Sequence, residues 1–363
     1  MVPEPVVSAS GAADARERID VSVVIPTRNR ADFLPDCLAS LASQRSEAAF
    51  EVIVVDNASE DGTDSVLQEW AGRDPRFRWV REETLGRAAA LNAGMAIARG
   101  DVFLFTDDDV YVQPGFVETY RRFFADHPER PVFAGGAIHS VPLRLAWPAW
   151  FSPRAARSLI LVDWGGERPL APGETVWGGN TAAPRDVFET LGRWDEEMGV
   201  RGDHRPPIDQ PQLNEDLEFE ERVRVAGGEV WFVPGAIVDH RTSVPGPRVC
   251  LRKGFGTGRN DFNRAFRPGM PEDRVRGRRT PGALVAWLSA QARYLMWTLA
   301  FRLRPGPSLF DRAWFAAWSS GWRMEDLLAG GPHDRFDRGV RRITRALTQG
   351  AASLAPAELD DRG

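Results

Sequence analysis

Asp107, Asp108 and Asp109 follow the apolar run 102–105 almost directly, and three neighbouring carboxylates need a reason to be there. Left unpaired they repel one another, which raises some of their pKa values at a cost in stability. A hard divalent cation, Mn2+ or Mg2+, removes the repulsion by taking the oxygens as ligands. The alternative is an acidic turn open to water. A second acidic pair, Glu215 and Asp216, opens a charged run that continues with Glu218, Glu220 and Glu221. Carboxylates there suit a helix start, where they favour the macrodipole. His240, beside Arg241, reads on its own as a packed loop histidine. No Gly-x-Gly-x-x-Gly follows the first apolar run and no Gly-x-x-x-x-Gly-Lys occurs, which argues against a standard dinucleotide or P-loop site. A nucleotide bound here would have its phosphates neutralised by a metal and by arginines.

The elements that must position these residues are legible as buried-strand and helix patterns. Residues 21–25 are a mainly β-branched run stopped by Pro26, as expected of a strand covered on both faces. Phe33, Leu34, Cys37, Leu38 and Leu41 then recur at helical spacing, with Asp32 placed to be the N-cap. Residues 51–55 repeat the strand pattern and end in Asp56, Asn57, Ala58 and Ser59; a helix is expected over 87–99, stopped by Gly100, before the third strand at 102–105. Strand alternating with helix implies an α/β fold with a Rossmann-like, doubly wound, mostly parallel sheet. In such sheets ligands collect at the carboxyl ends of the strands, where the polar residues of all three segments fall.

The charge is distributed unevenly. The whole chain of 363 residues carries 46 basic and 51 acidic groups, so a net charge of −5 excludes a nucleic-acid binder as a class. Between 241 and 304, however, fourteen basic residues face three acidic ones, Asp261, Glu272 and Asp273. This excess is either a solvated face or a surface for an anionic partner. The composition divides the chain into a tail at 1–19, a catalytic domain at 20–240, a basic, Trp-rich, mainly helical appendage at 241–332 and a tail at 333–363. In the appendage Leu284, Trp287, Leu288, Leu295 and Leu299 stand near helical spacing, and Trp314, Trp318 and Trp322 follow at intervals of four. Packing of the appendage onto the catalytic domain is the expected role of these aromatics. The other role is peripheral contact of 241–304 with anionic lipid or a polyprenyl-phosphate acceptor. Two cysteines far apart, no signal-peptide pattern and no apolar run of spanning length place the chain in the cytoplasm, with the inner face of the membrane as its peripheral site.

A set of ordered segments adds a resemblance. Val23-Val24-Ile25-Pro26-Thr27-Arg28-Asn29-Arg30, Val54-Val55-Asp56-Asn57-Ala58-Ser59-Glu60-Asp61-Gly62-Thr63 and Gly86-Arg87-Ala88-Ala89-Ala90-Leu91-Asn92-Ala93-Gly94 come first. Phe105-Thr106-Asp107-Asp108-Asp109, Gly178-Gly179-Asn180-Thr181-Ala182-Ala183-Pro184-Arg185, Asn214-Glu215-Asp216-Leu217-Glu218-Phe219 and Val238-Asp239-His240 follow in order. Together, over about 20–240, they resemble a family 2 glycosyltransferase of the GT-A fold.

The resemblance implies a metal-dependent, inverting transfer of a sugar from a nucleotide-diphosphate donor, UDP- or dTDP-linked, to a sugar, lipid-linked or small-molecule hydroxyl. It assigns nucleotide contacts to Pro26, Thr27, Arg28, Asp56, Asn57, Arg87, Asp107 and Asp108, and the metal, Mn2+ or Mg2+, to Asp107, Asp109 and His240. Asn57 stands where many members have a second Asp; its amide both donates and accepts, so it can still read uracil or thymine. Asp216, with Glu215 beside it, matches the general base. Asn214 replaces the usual preceding glycine after a long polar loop at 199–213, a departure that bears on the acceptor. Trp177, Gly179, Asn180 and Arg185 fall where donor or acceptor sugar is held, and Trp147 and Trp150 are further candidates for a sugar or aglycone pocket. Two other functions remain open at this point. A nucleotidyltransferase of related fold would carry a Gly-rich basic loop after its first strand, which Thr27-Arg28-Asn29-Arg30 lacks. A non-catalytic sugar- or lipid-binding relative would have no need of mutually repelling carboxylates.

Overall fold

The structure is a computed structural model that describes residues 19–128, 132–141, 162–171, 174–196, 215–241, 247–248, 250–251, 254–255 and 281–329. Both tails, Trp147, Trp150, the loop 199–213 with Asn214, residues 256–280 of the basic stretch and the Trp322 side chain lie outside the described residues.

Strand β1 (Val21–Thr27) is apolar on both faces because both are covered; Val21, Val23, Val24 and Ile25 are fully buried. It pairs in parallel with β2 (Phe50–Asp56) and β4 (Val102–Thr106), and β2 pairs in parallel with β3 (Phe77–Arg81). Helices α1 (Leu34–Ala42), α2 (Thr63–Arg73) and α3 (Arg87–Ile97) supply the crossovers. Pro26 does not stop β1, contrary to expectation. The Thr27 carbonyl accepts from Asn57 N on the β2 side, so the nitrogen of Pro26 faces β4, and pairing with β4 has already ended at Val24. The missing N–H breaks no rung. Asp32 is likewise not a cap: α1 begins after Phe33 without any side-chain cap. Helix α3 ends at Ile97, and Gly100 serves the close approach to β1 instead, since a Cβ there would lie 2.5 Å from Ser22 N.

The remaining strands are β5 (Val110–Val112), β6 (Val132–Val141), β7 (Arg168–Pro169), β8 (Asn180–Pro184) and β9 (Glu229–Arg241). The sheet runs β3-β2-β1-β4-β8-β6-β9-β5, with β7 on β9. The half from β3 to β4 is the parallel, doubly wound sheet expected; beyond β4 it is mixed, with β8 antiparallel to both β4 and β6. Helix α4 (Phe116–Asp126) and the short α5 (Arg185–Leu191) connect these strands. Helix α6 (Glu215–Val225) is docked by its apolar residues: Phe219 stacks on Phe188 at 4.3 Å, and Trp194 meets both Phe105 and Phe219. That aromatic cluster fixes the helix whose first turn carries Glu215 and Asp216.

The appendage contains α7 (Pro281–Leu303) and α8 (Pro307–Ala329), packed against each other. Trp314 and Trp318 are buried with Cys250, Leu251, Phe301, Phe310 and Ala313 in a core of their own, so these two tryptophans hold the helix pair together. Among the described residues no helix is long and apolar enough to cross a membrane.

Candidate functional site

Strand register assembles the acidic centre. β5 runs antiparallel to β9 with Val110 opposite His240, and Arg241 N donates to the Asp109 carbonyl at 2.8 Å. Asp107, Asp109 and His240 thereby each place one ligand atom within 4.8 Å of the others'. His240 Nε2 lies 3.3 Å from Asp109 Oδ1. Asp108 accepts from Thr27 Oγ1 at 2.7 Å, and Arg30 stands 3.6 Å from Asp108 and 3.7 Å from Asp109. Burial, reinforced by repulsion from Asp109 and Asp107 and opposed by Thr27 and Arg30, pushes the Asp108 carboxyl up to about 7. Burial and then Asp107 also raise Asp109, against the pull of His240 and Arg30. Two hard carboxylates and an imidazole converging on one point fit a divalent cation such as Mn2+ or Mg2+.

Arg87, the first residue of α3, joins this centre to the second acidic pair. Its guanidinium donates to Asp107 Oδ1 at 2.9 Å, to Glu215 Oε1 at 2.5 Å and to the Gly178 carbonyl at 2.9 Å. Burial opposes its charge, but Asp107, Glu215 and Asp216 outweigh that and hold its pKa above the ordinary value. Asp216 is 4% exposed and accepts from Gly178 N at 2.7 Å and Leu217 N at 2.8 Å. Burial first, then Glu215, raises its carboxyl to about 7, while Arg87 and the two backbone donors pull the other way. A buried carboxyl that titrates near neutrality is placed to exchange a proton.

The expected nucleotide positions are brought to the carboxyl ends of β1 and β2, but not all with groups to offer. The Asn57 amide is engaged within the fold rather than standing open to a base. Nδ2 donates to the carbonyls of Glu82 (3.0 Å) and Thr84 (2.7 Å), and Oδ1 accepts from Gly86 N (2.8 Å), so the side chain latches the loop before α3. Asp56 is fully buried, accepting from Ser59 N at 2.9 Å and from Arg81 at 2.8 Å. Arg28 donates to the carbonyls of Asn57 and Ala58, and Pro26 is the strand residue described above. Arg81 and the cation Arg30 are site residues that sequence reasoning missed as such; Arg30 stood inside a quoted motif, whereas Arg81 had no signal beyond a place at the end of β3.

Of the four sugar positions, two are moved out of the cleft. Asn180 is fully buried: it accepts from Tyr120 Oη at 2.7 Å and donates to the carbonyls of Ala137 and Ala236, a scaffold role that joins α4, β6 and β9. Arg185 lies at the opposite end of the sheet, because β8 is antiparallel to β4 and Pro184 is level with Val102; it binds the carbonyls of Ala98 and Gly100. Trp177 and Gly179 do border the site. Gly178 and Gly179 have no room for side chains, since a Cβ would come within 2.8 Å of Arg87 and 2.7 Å of Asp107 respectively. Trp177 is partly buried against the core.

Residues 22–188 match the family described as Glycosyl transferase family 2. A validoxylamine A glucosyltransferase from Streptomyces hygroscopicus subsp. jinggangensis (strain 5008) is 29% identical over 230 residues, which cover 57% of this chain and 52% of the relative. A glucosyl-dolichyl phosphate glucuronosyltransferase from Haloferax volcanii is 28% identical over 196 residues, 52% of this chain and 61% of the relative. The chain thus spans less than two thirds of the length of these relatives. Among solved structures, the mannosyltransferase PcManGT from Pyrobaculum calidifontis, in complex with GDP-Man and Mn2+, has a TM-score of 0.50 at 18% identity, covering 96% of this chain and 84% of that one. This is a likeness of fold.

Proposed function

We propose, from the premise that this chain belongs to glycosyl transferase family 2 through residues 22–188, that it moves a sugar from a nucleoside-diphosphate donor to an acceptor hydroxyl with inversion at the anomeric carbon. The observation that carries the reading is one connected constellation. A cation-holding set, Asp107, Asp109 and His240, is linked through Arg87 to a buried acid that titrates near neutrality, Asp216. A divalent cation held by that set supplies charge neutralisation of the departing diphosphate, where negative charge grows in the transition state. Asp216 takes the proton of the acceptor hydroxyl as its oxygen attacks the anomeric carbon, and the bond to the nucleoside diphosphate breaks on the opposite face. Arg87 orients the base by holding Glu215 and the Gly178 loop, and the Gly178 and Leu217 N–H groups keep the Asp216 carboxylate aimed.

The donor assigned is a nucleoside-diphosphate sugar. Thermal shifts with UDP, dTDP and GDP, each with Mn2+ or with EDTA, test both donor and metal. A nucleotide at a hundredfold excess over Kd stabilises by about 2.7 kcal/mol, or about 5–11 °C in Tm. That shift is expected with Mn2+ and lost in Asp109→Ala, because the diphosphate would then meet carboxylates without their cation. Equal shifts in EDTA and in the variant refute the metal-dependent reading, and the base giving the largest shift identifies the donor.

A further inference from the structure

Helix α7 is apolar on two opposite sides. One side, with Ala290, Tyr294, Trp297 and Phe301, packs into the core shared with α8. On the other, Val285, Leu288, Leu295, Met296, Leu299 and Leu303 are between 51% and 75% exposed. With 3.6 residues per turn these six fall within a sector of about 100° and run for about 27 Å along the helix. A continuous bare apolar stripe of this kind is not the surface of an ordinary solvent-facing helix.

The charges around the stripe indicate what covers it. By the same helical periodicity Arg302 flanks it on one side, with Arg293 and Arg304 on the other. Among the described residues 281–304 there is no acidic residue to offset these three arginines. A second copy of the helix laid parallel on this face would bring Arg302 and Arg304 against their own counterparts, and in either direction it would leave the flanking arginines without an anionic partner on α7. A surface that is apolar beneath and anionic above complements it, because the aliphatic stems of the arginines lie along the apolar layer while their heads reach phosphate. Beside the stripe, Pro247, Arg248, Leu251, Thr298, Phe301 and Arg302 line a cavity of about 360 Å³. Apolar walls with two guanidinium groups suit an acyl chain under an anionic head.

We propose that α7 is an interfacial helix by which the protein docks on an anionic lipid surface, with the stripe from Val285 to Leu303 in the acyl boundary and Arg293, Arg302 and Arg304 on the headgroup phosphates. The inference rests on the appendage alone and is independent of the chemistry assigned to Asp107–Asp216.

Flotation of the full chain with vesicles tests it. Binding is expected to phosphatidylcholine vesicles doped with phosphatidylglycerol, to weaken as salt rises, and to be largely absent with phosphatidylcholine alone. The double variant Leu295→Glu/Leu299→Glu should abolish flotation. Its Tm should stay unchanged, since both side chains are exposed. Arg302→Gln/Arg304→Gln should weaken binding about 30-fold, from about 1 kcal/mol per arginine at such a surface. Failure of the full chain to bind anionic vesicles overturns the proposal. So does binding that survives the Leu double variant, which would locate the contact elsewhere in the basic stretch. Light scattering that shows a dimer dissociated by that variant, without lipid binding, overturns it in favour of a second copy.

Discussion

Arg87→Met removes the guanidinium that ties α3 to Asp107, Glu215 and the Gly178 carbonyl while keeping an apolar stem of similar reach. Glu215 and Asp216 are each only 4% exposed, so the variant leaves buried carboxylates without their cation. Breaking a buried pair in this way costs about 3–5 kcal/mol. The corresponding fall in Tm is about 6–20 °C. The loss should depend on pH, and its sign follows from Asp216, whose carboxyl burial and Glu215 raise to about 7 against the pull of Arg87. Without Arg87 that pKa climbs further. A carboxyl raised in the folded state binds more protons folded than unfolded, so the folded protein loses stability as pH rises through its folded pKa. In wild type this penalty accumulates up to a pH of about 7 and is complete above it. The variant continues to accumulate it at higher pH, by up to about 1.4 kcal/mol per pH unit. The deficit of Arg87→Met should therefore be larger at about pH 8.5 than at about pH 6, where Asp216 is protonated in both proteins. Thermal unfolding of the two proteins at both pH values measures it. A loss below about 1 kcal/mol, or one identical at both pH values, refutes the argument that Arg87 compensates a buried charge.

Two further outcomes are expected. Asp216→Asn should lower kcat by about 10²–10⁴, the usual worth of a general base. In wild type, turnover should rise with pH through about 7, because Asp216 must lose its proton to act, and that limb should vanish in the variant; an unchanged pH–rate profile reassigns the base, with Glu215→Gln as the comparison. Asn57→Asp would turn a carboxylate toward the Glu82 and Thr84 carbonyls that the amide now donates to, and should lower stability by about 2–4 kcal/mol. A raised nucleotide KM with no change in Tm would show instead that residue 57 faces the base.

The parallel half of the fold was readable because its signals are local. Each of 21–25, 51–55 and 102–105 is a short apolar run ending in polar residues, and both strand and site position follow from that. Strand β8 was not, since its antiparallel seat between β4 and β6 is a long-range choice that Asn180-Thr181-Ala182 does not announce. Asn57 and Asn180 misled for one physical reason: an amide that satisfies buried carbonyls has the same donors and acceptors as one that reads a ligand, and only the fold says which it meets. Arg185 misled through strand direction, which sends it to the far end of the sheet. The apolar spacing of α7 was visible in Leu288, Leu295 and Leu299, but periodicity reports a face and not what covers it. The expectation that the aromatics pack the appendage onto the catalytic domain is corrected on both counts: the α7 leucines are exposed, and Trp314 and Trp318 are buried in a core that belongs to the helix pair itself.

The rung between Thr106 and Asn180 carries a lesson for anyone redesigning this protein. Thr106 Oγ1 donates to the Gly179 carbonyl at 2.8 Å, and Asn180 N closes the turn on Trp177 O at 2.9 Å. The turn looks like a surface loop open to diversification. Yet a slip of one residue would send Asn180 to the wrong face, and a side chain at 178 or 179 forces Arg87 or Asp107 to move. A combinatorial library randomised across 177–180 to recruit new acceptors would return mostly clones in which Arg87 or Asp107 is displaced. Within that turn, Trp177 is the position to mutate, because its ring alone is partly exposed and no backbone close approach depends on it.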